Sequence, residues 1–142
     1  MHLSNEWFAT TYDSNKGAVV LRGRMHLDAV RLSGLYGMRV EVQWHVSGDD
    51  KGMPNDTETE VIDGVMNIMT DALERSSTAV LSAIHTGAKQ VLYIFYATTV
   101  EDFKATIDPL LSRLSHLPLC IGATPDASWS DYTAMIARAA LG

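Results

Sequence analysis

The chain has 142 residues, of which 46% are hydrophobic, and this is enough apolar side chain for the core of one domain. Its formal net charge of −6 argues against a general attraction to nucleic acid or to an anionic membrane. A single cysteine excludes an intramolecular disulfide, and the longest apolar run is too short to cross a bilayer. We therefore predict one acidic, cytoplasmic domain over residues 1–142, without a secretory signal.

The first predicted element is an N-terminal β-hairpin. Its two segments, WFATTYD and GAVVLRGRM, are rich in β-branched and aromatic residues and flank a polar turn at residues 14–16. The next predicted strand, RVEVQWHV, alternates strictly between apolar and polar residues. Its apolar side chains should face the predicted helices, namely Val40, Val42, Trp44 and Val46. Its polar side chains should face outward, namely Arg39, Glu41, Gln43 and His45.

The acidic segment SGDDKGMPNDTETEVID follows this strand at residues 47–63. A calcium loop that began at Asp49 would place Glu60 at its twelfth position, but Lys51 would occupy a position that needs an oxygen ligand. A turn followed by a helix cap explains the segment better, with Thr57 and Glu60 as the predicted capping box. Apolar residues then recur at spacings of three and four, which predicts an amphipathic helix.

Two further strands are predicted at residues 78–86 and 89–97, joined by a short Gly87–Ala88 hairpin link. The second helix should begin near Thr99, whose hydroxyl can cap it together with Asp102. Pro109 lies inside its apolar pattern, which reaches Leu114, and should kink or restart the helix.

The remaining elements are a short strand and a last helix. The strand, LPLCIG at residues 117–122, is predicted to be buried, with Cys120 as an inert thiol inside it. The helix should start at Ser128, with Asp131 as its box partner, and either Asp126 or Ser128 can cap its first turn. It should bury Trp129, Tyr132 and Ile136.

From residue 38 onward the predicted order is strand, helix, strand, strand, helix, strand. This is the βαββαβ order of the ferredoxin-like split βαβ unit. We therefore predict an α+β fold with an antiparallel sheet, an added N-terminal hairpin and a C-terminal helix. Right-handed crossovers place the two core helices on one face and leave the other face open. The candidate binding face comprises Arg22, Arg24, Arg39, Glu41, Gln43 and His45.

Motifs that carry chemistry are missing from the sequence. The histidines have no zinc spacing, and the sequence contains neither a phosphate-binding glycine loop nor a nucleophile elbow. The strand KQVLYIFY lacks the glycines and the first stacking aromatic of an RNA-recognition motif. We therefore predict no catalytic residue, no metal site, no cofactor and no nucleic-acid partner.

Three blocks of the sequence resemble, in order and spacing, the signature blocks of the DUF695 family, a group of uncharacterised, largely bacterial domains. The blocks are DDKGMP, AIHTGAKQVLYIFYA and TPDASWSDY. The matching positions are Trp7, Asp50, Gly52, Thr86, Gly87, Tyr96, Asp126, Trp129 and Tyr132. The chain is also similar in fold and size to the regulator of ribonuclease E activity B, a small acidic protein that binds and inhibits an RNase. That similarity implies a regulatory role by analogy alone.

Two functional hypotheses follow. The first is a non-enzymatic module that binds another protein or regulates it. The second is a small hydrolase or ligand-binding enzyme with a site near Asp50, His45 and His85. The missing catalytic motifs favour the first hypothesis. We expect the TPDASWSDY block to be structural, because Trp129 and Tyr132 share one face of the last helix and can dock it against the core.

Overall fold

Six antiparallel strands form one sheet in the computed structural model, which describes residues 3–112 and 117–141. The strands are β1 (Trp7–Ser14), β2 (Gly17–Arg24), β3 (Met38–His45), β4 (Ala79–Gly87), β5 (Gln90–Ala97) and β6 (Leu119–Pro125). The four helices within the described residues are α1 (Asp28–Leu32), α2 (Asp56–Arg75), α3 (Val100–Leu111) and α4 (Ser130–Leu141). The strand order is β1-β2-β4-β5-β3-β6, and each neighbouring pair is antiparallel. The α+β class is thus confirmed, whereas α1 was not predicted.

Both predicted hairpins are confirmed. In the β4–β5 hairpin the turn lies one residue later than expected, at Ala88 and Lys89, which have φ values of 56° and 62°. Positive φ at both central residues is the type I′ form, whose twist matches the flanking strands. Gly87 pairs with Gln90 instead of lying in the turn. A Cβ at Gly87 would lie 2.4 Å from the carbonyl oxygen of Ala18, so only glycine lets β2 approach β4 here.

The first face of the sheet is covered by α2 and α3. The apolar side chains of β3 point to this face as predicted, and Trp44 is 1% exposed. They pack with Ile62, Met66, Met69 and Leu73 of α2 and with Phe103 and Ile107 of α3. The strand register of β3 is therefore confirmed. Side chains that reach this face from neighbouring strands complete the main core, because paired residues of antiparallel strands share a face.

The second face is not open throughout, and this part of the prediction was wrong. A separate buried cluster joins α1 and α4 to the sheet through Val80 and Tyr96, with Leu27 and Trp129 among its members. Met135 of α4 lies close to Gly23 of β2, because the methyl carbon of Met135 would be 3.0 Å from a Cβ built at that glycine. The C-terminal helix therefore covers one half of the second face, and the other half carries the exposed polar surface described below.

The acidic segment is a helix cap, but the capping residues are two positions earlier than predicted. Asn55, not Thr57, is the N-cap of α2, and it forms a reciprocal capping box with Glu58. Glu58 also accepts hydrogen bonds from the backbone N–H groups of Ser47 and Gly48. These backbone donors, that of Asn55 first, lower the pKa of Glu58. The carboxylate thus ties the end of β3 to the start of α2.

The cap of α3 is confirmed, because the Thr99 hydroxyl accepts from the backbone N–H of Asp102 at 3.0 Å. The helix continues through Pro109 and ends at Leu111. The predicted contact of Leu114 lies outside the described residues. None of the described helices is both long and apolar enough to cross a membrane.

Two predictions about the C-terminal third were wrong. β6 is an edge strand rather than a buried one, and its Cys120 is exposed. Leu119 and Ile121 point to the main core, so the alternation of a strand directs the thiol of Cys120 outward. The last helix begins at Ser130 rather than at Ser128, so Trp129 precedes the helix, with a φ of 56°, and does not share a helical face with Tyr132 as predicted. Asp126, one of the two predicted caps, is the residue that caps its first turn.

Candidate binding surface

The polar side chains of β3 lie on the second face as predicted, but they differ in what they contact. Arg39 is held by Glu41 on its own strand and by Asp131 of α4, with 3.0 Å between Arg39 Nε and Asp131 Oδ2. Gln43 donates to the side-chain oxygen of Gln90 at 2.6 Å. His45 is exposed. The end of β3 nearest α4 is therefore occupied by an ion-pair cluster, and its other end faces solvent.

Arg22 and Arg24 do not join this face. The guanidinium of Arg24 is buried, and its Nη1 lies 2.8 Å from a carboxylate oxygen of Glu74 in α2. Arg22 pairs in register with Ile84, whose side chain belongs to the main core. Both guanidinium groups lie 5.5 Å from the ring centroid of Trp7, which is itself packed against that core. The two arginines thus lie on the first face and have structural contacts.

The half of the second face that α4 leaves open forms a band across all six strands. Register places Leu21, His85, Leu92, Gln43 and Cys120 in one row, from β2 through to β6. The adjacent row contains Tyr12, Gln90 and His45. We call this band the open strip, defined by Tyr12, Leu21, Gln43, His45, His85, Gln90, Leu92 and Cys120. With strands about 4.8 Å apart, it is about 24 Å wide.

The side chains of the open strip reach solvent. Tyr12, His45 and Cys120 are exposed, and the others are half-buried. None of the eight carries a carboxylate, although the chain contains 17 aspartates and glutamates. Aromatic, aliphatic and amide groups side by side can contact a partner without the desolvation cost of buried charge.

His85 is the titratable group nearest the centre of the strip. Its Nδ1 lies 3.0 Å from the hydroxyl of Tyr12, and the two rings meet edge to face. Burial lowers the pKa of His85, while the charge of Asp131 opposes the shift and that of Arg39 adds to it. The neutral ring is therefore the form that the fold favours.

This shift predicts a loss of stability at mildly acidic pH. Because the folded-state pKa of His85 lies below its unfolded value of about 6.5, protonation favours the unfolded chain. The loss begins as the pH falls through the unfolded-state pKa and stops below the folded-state pKa. Urea unfolding midpoints measured from pH 7.5 to 5 should therefore fall less steeply in His85→Gln than in the wild type.

His45→Gln, at an exposed position on the same face, should keep the wild-type slope. Parallel curves for wild type and His85→Gln would contradict the assignment.

The three residues of the hypothetical enzyme site do not converge. His45 and His85 lie on strands separated by β5, and they occupy different rows of the sheet. The ring of His85 is engaged by Tyr12 instead. Asp50 lies in the loop between β3 and α2, beside the end of the sheet. This arrangement contains no histidine pair that could share a proton.

Comparison with known protein families gives one match. The sequence profile of DUF695, described as a family of unknown function, matches residues 5–136. The chain belongs to the DUF695 family. None of the curated proteins compared with this DUF695 domain matches it.

The TPDASWSDY segment of the DUF695 domain forms the attachment of α4. The ring of Trp129 stacks on that of Tyr96, with 4.1 Å between centroids and 11° between planes. Asp126 accepts from the hydroxyl of Tyr96 at 2.8 Å and caps the helix through Ser130. The hydroxyl of Tyr132 donates to the carbonyl oxygen of Arg24 at 2.8 Å. These residues are buried or hydrogen-bonded inside the domain, in agreement with the structural role that was predicted for this segment.

The DDKGMP and AIHTGAKQVLYIFYA segments of the DUF695 domain meet at one end of the sheet. The backbone N–H of Lys89 donates to the carbonyl of Gly52 at 2.8 Å, which joins the β4–β5 turn to the loop before α2. Gly52 has a φ of +80°, and a Cβ there would lie 3.1 Å from that same nitrogen. Thr86 lies in β4 just before Gly87.

Within the described residues, no group of three or more His, Cys, Asp or Glu side chains is placed to hold a metal. The absence of a metal site stays a prediction.

Proposed function

We propose that this DUF695 domain is a non-enzymatic module that binds another protein through the open strip. The observation that carries the proposal is the strip itself, an uncharged band across all six strands of an acidic domain. Interface centres are depleted of charged residues, and the strip, which contains no Asp, Glu, Lys or Arg, shares this depletion. The cytoplasmic location predicted from the sequence is compatible with this role.

The topology supports the same interpretation. From β3 to β6 the element order is βαββαβ, and the strands follow the order β4-β5-β3-β6. We infer that this part is a ferredoxin-like split βαβ unit, extended by the β1–β2 hairpin along β4 and by α4 on the second face. The hairpin widens the sheet and so lengthens the surface that a partner can contact. The similarity to the regulator of ribonuclease E activity B stays a prediction, and it suggests a regulated enzyme as the kind of partner.

Site-specific photo-crosslinking in the native cell tests the proposal. A benzophenone amino acid replaces Tyr12, at the exposed β1 end of the strip, or Ile68, which is 62% exposed on α2 and serves as the matched control. We expect a discrete crosslinked species of one defined mass from position 12 and none of that mass from position 68. His45→Glu, which adds a charge to the far side of the strip, should reduce this species about tenfold because the carboxylate must be desolvated on binding.

Two results would contradict the proposal. One is the same set of adducts from both positions, which would indicate random collisions. The other is a position-12 adduct whose yield is unchanged by His45→Glu, which would show that the partner does not bind across the strip. Circular dichroism of His45→Glu must match the wild type, as expected for an exposed side chain.

A further inference from the structure

A cavity of about 550 Å³ lies at the end of the sheet. None of the residues that line it belongs to the open strip. Three connections meet around it: the β1–β2 turn, the loop from β3 to α2, and the β4–β5 turn. They contribute Lys16, Lys51 and Lys89, together with Asp50. The volume lies within the range of small-molecule sites, which is about 300–1,000 Å³.

The charge of this cavity opposes that of the protein. The sequence contains four lysines, and three of them line this one cavity, with Asp50 as the single carboxylate in its wall. The cavity therefore has a positive local charge in a chain whose net charge is −6. Isolated surface lysines are solvated and common, but here lysines from three separate connections converge.

The three connections are held together by backbone contacts. The Lys89 N–H donates to the Gly52 carbonyl at 2.8 Å, and the Lys89 carbonyl accepts from Val46 N–H at 3.1 Å. Asp49 accepts from the backbone N–H groups of Lys51 and Met53, which fixes the loop between them. The carbonyl oxygen of Lys51 would lie 3.4 Å from a Cβ at Gly17. The lysine backbones are thus positioned before any ligand arrives, which lowers the ordering cost of binding.

We propose that this cavity binds a small molecule that carries two or more phosphate groups. Lysine ammonium groups are compact charges with three donors each, and they suit phosphate oxygens. With the Asp50 carboxylate subtracted, the three ammonium groups still balance the roughly two negative charges of one phosphate, and their donors outnumber the oxygens of that group. The cavity has room for a ligand larger than inorganic phosphate, and its position would place a bound phosphate ester beside the β4–β5 turn. This site is independent of the protein-binding strip.

Calorimetric titration at constant ionic strength tests the proposal, with pyrophosphate, inorganic phosphate and citrate as probes. We expect saturable binding of pyrophosphate, about tenfold tighter than that of phosphate and tighter than that of citrate. The triple variant Lys16→Gln/Lys51→Gln/Lys89→Gln should lose about tenfold in affinity for pyrophosphate, since each exposed charge contributes modestly. Lys104→Gln, which removes the fourth lysine from the exposed surface of α3, is the matched control and should leave the affinity unchanged.

Asp50→Asn gives a test of opposite sign. Removing the one carboxylate of the cavity should strengthen pyrophosphate binding two- to threefold, roughly the effect of one exposed charge. The inference is overturned if pyrophosphate binds no tighter than phosphate or citrate, if the triple variant binds like the wild type, or if Asp50→Asn weakens binding. The lysine side chains are exposed, so thermal unfolding of the triple variant should match that of the wild type.

Discussion

Replacing Trp129 with alanine is expected to lower the free energy of unfolding by about 3–5 kcal/mol, the usual cost of truncating a buried tryptophan. The side chain is 1% exposed, stacks on Tyr96, and donates from Nε1 to the carbonyl oxygen of Tyr36 at 2.6 Å. Its loss removes one large member of the buried cluster that joins the start of α4 to the second face. For a domain of this size the thermal midpoint should fall by about 10 °C, measured by circular dichroism.

Trp129→Phe is the matched control for this experiment. It keeps a ring to stack on Tyr96 but cannot donate to the carbonyl oxygen of Tyr36, so it should lose about 0.5–1.5 kcal/mol, the net worth of a typical hydrogen bond. Arg138→Ala, at an exposed position on α4, should change stability by less than about 0.5 kcal/mol. If Trp129→Ala costs no more than Arg138→Ala, the ring does not support the core, and the TPDASWSDY block becomes a candidate for ligand stacking.

Replacing Glu74 with leucine is expected to cost about 3–5 kcal/mol, because it leaves the buried guanidinium of Arg24 without its countercharge. Glu74 accepts from Arg24 at 2.8 Å and also from the backbone N–H of Leu81 at 2.9 Å. Arg24 has two further acceptors, the carbonyl oxygens of Ser4 and Leu81, but neither carries a full charge. Urea denaturation at neutral pH measures the loss.

A double-mutant cycle separates the charge effect from lost packing. The double variant Arg24→Leu/Glu74→Leu removes both charges, so it should be more stable than Glu74→Leu alone. The exposed pair Asp71 and Arg75, one turn apart on the same helix and 2.9 Å from each other, is the control. Asp71→Leu should cost less than about 1 kcal/mol. Strictly additive losses for Arg24 and Glu74 would show that the two groups do not interact.

Much of the fold was predictable because local patterns determine it. The alternation of β3 correctly predicts which of its side chains enter the core, and turn residues locate both hairpins. The acidic segment was correctly interpreted as a cap. The predicted position of the cap was wrong because both Asn55 and Thr57 precede a glutamate at the required spacing. Sequence alone does not show which of the two capping boxes forms.

The covered second face could have been inferred from β5. Its segment VLYIFYA is apolar at every position, and such runs occur in strands that are buried on both faces. Ile94 and Tyr96 point to the second face and are fully buried, while Tyr93 and Phe95 point to the first. A helix was therefore required on each side of the sheet, and α4 was the available one.

The surface sites were harder to predict because they depend on how distant segments come together. Nothing local shows that β2 pairs with β4, and this pairing is what directs Arg24 towards Glu74 instead of the open face. The same pairing brings the turn containing Lys16 beside the other two lysines. Lys51, which excludes a calcium loop in the sequence, proves to line a cavity.

The strand order also bears on how the chain is assembled during synthesis. β5 has a partner on each side, β4 and β3, whereas the first strands made have only each other until β4 follows α2. Before β4 is made, both outer edges of the N-terminal hairpin are unpaired, and a two-stranded hairpin alone is marginally stable in water. The sheet is expected to form from the middle of the chain outward, with the β1–β2 hairpin among the last elements to be held in place.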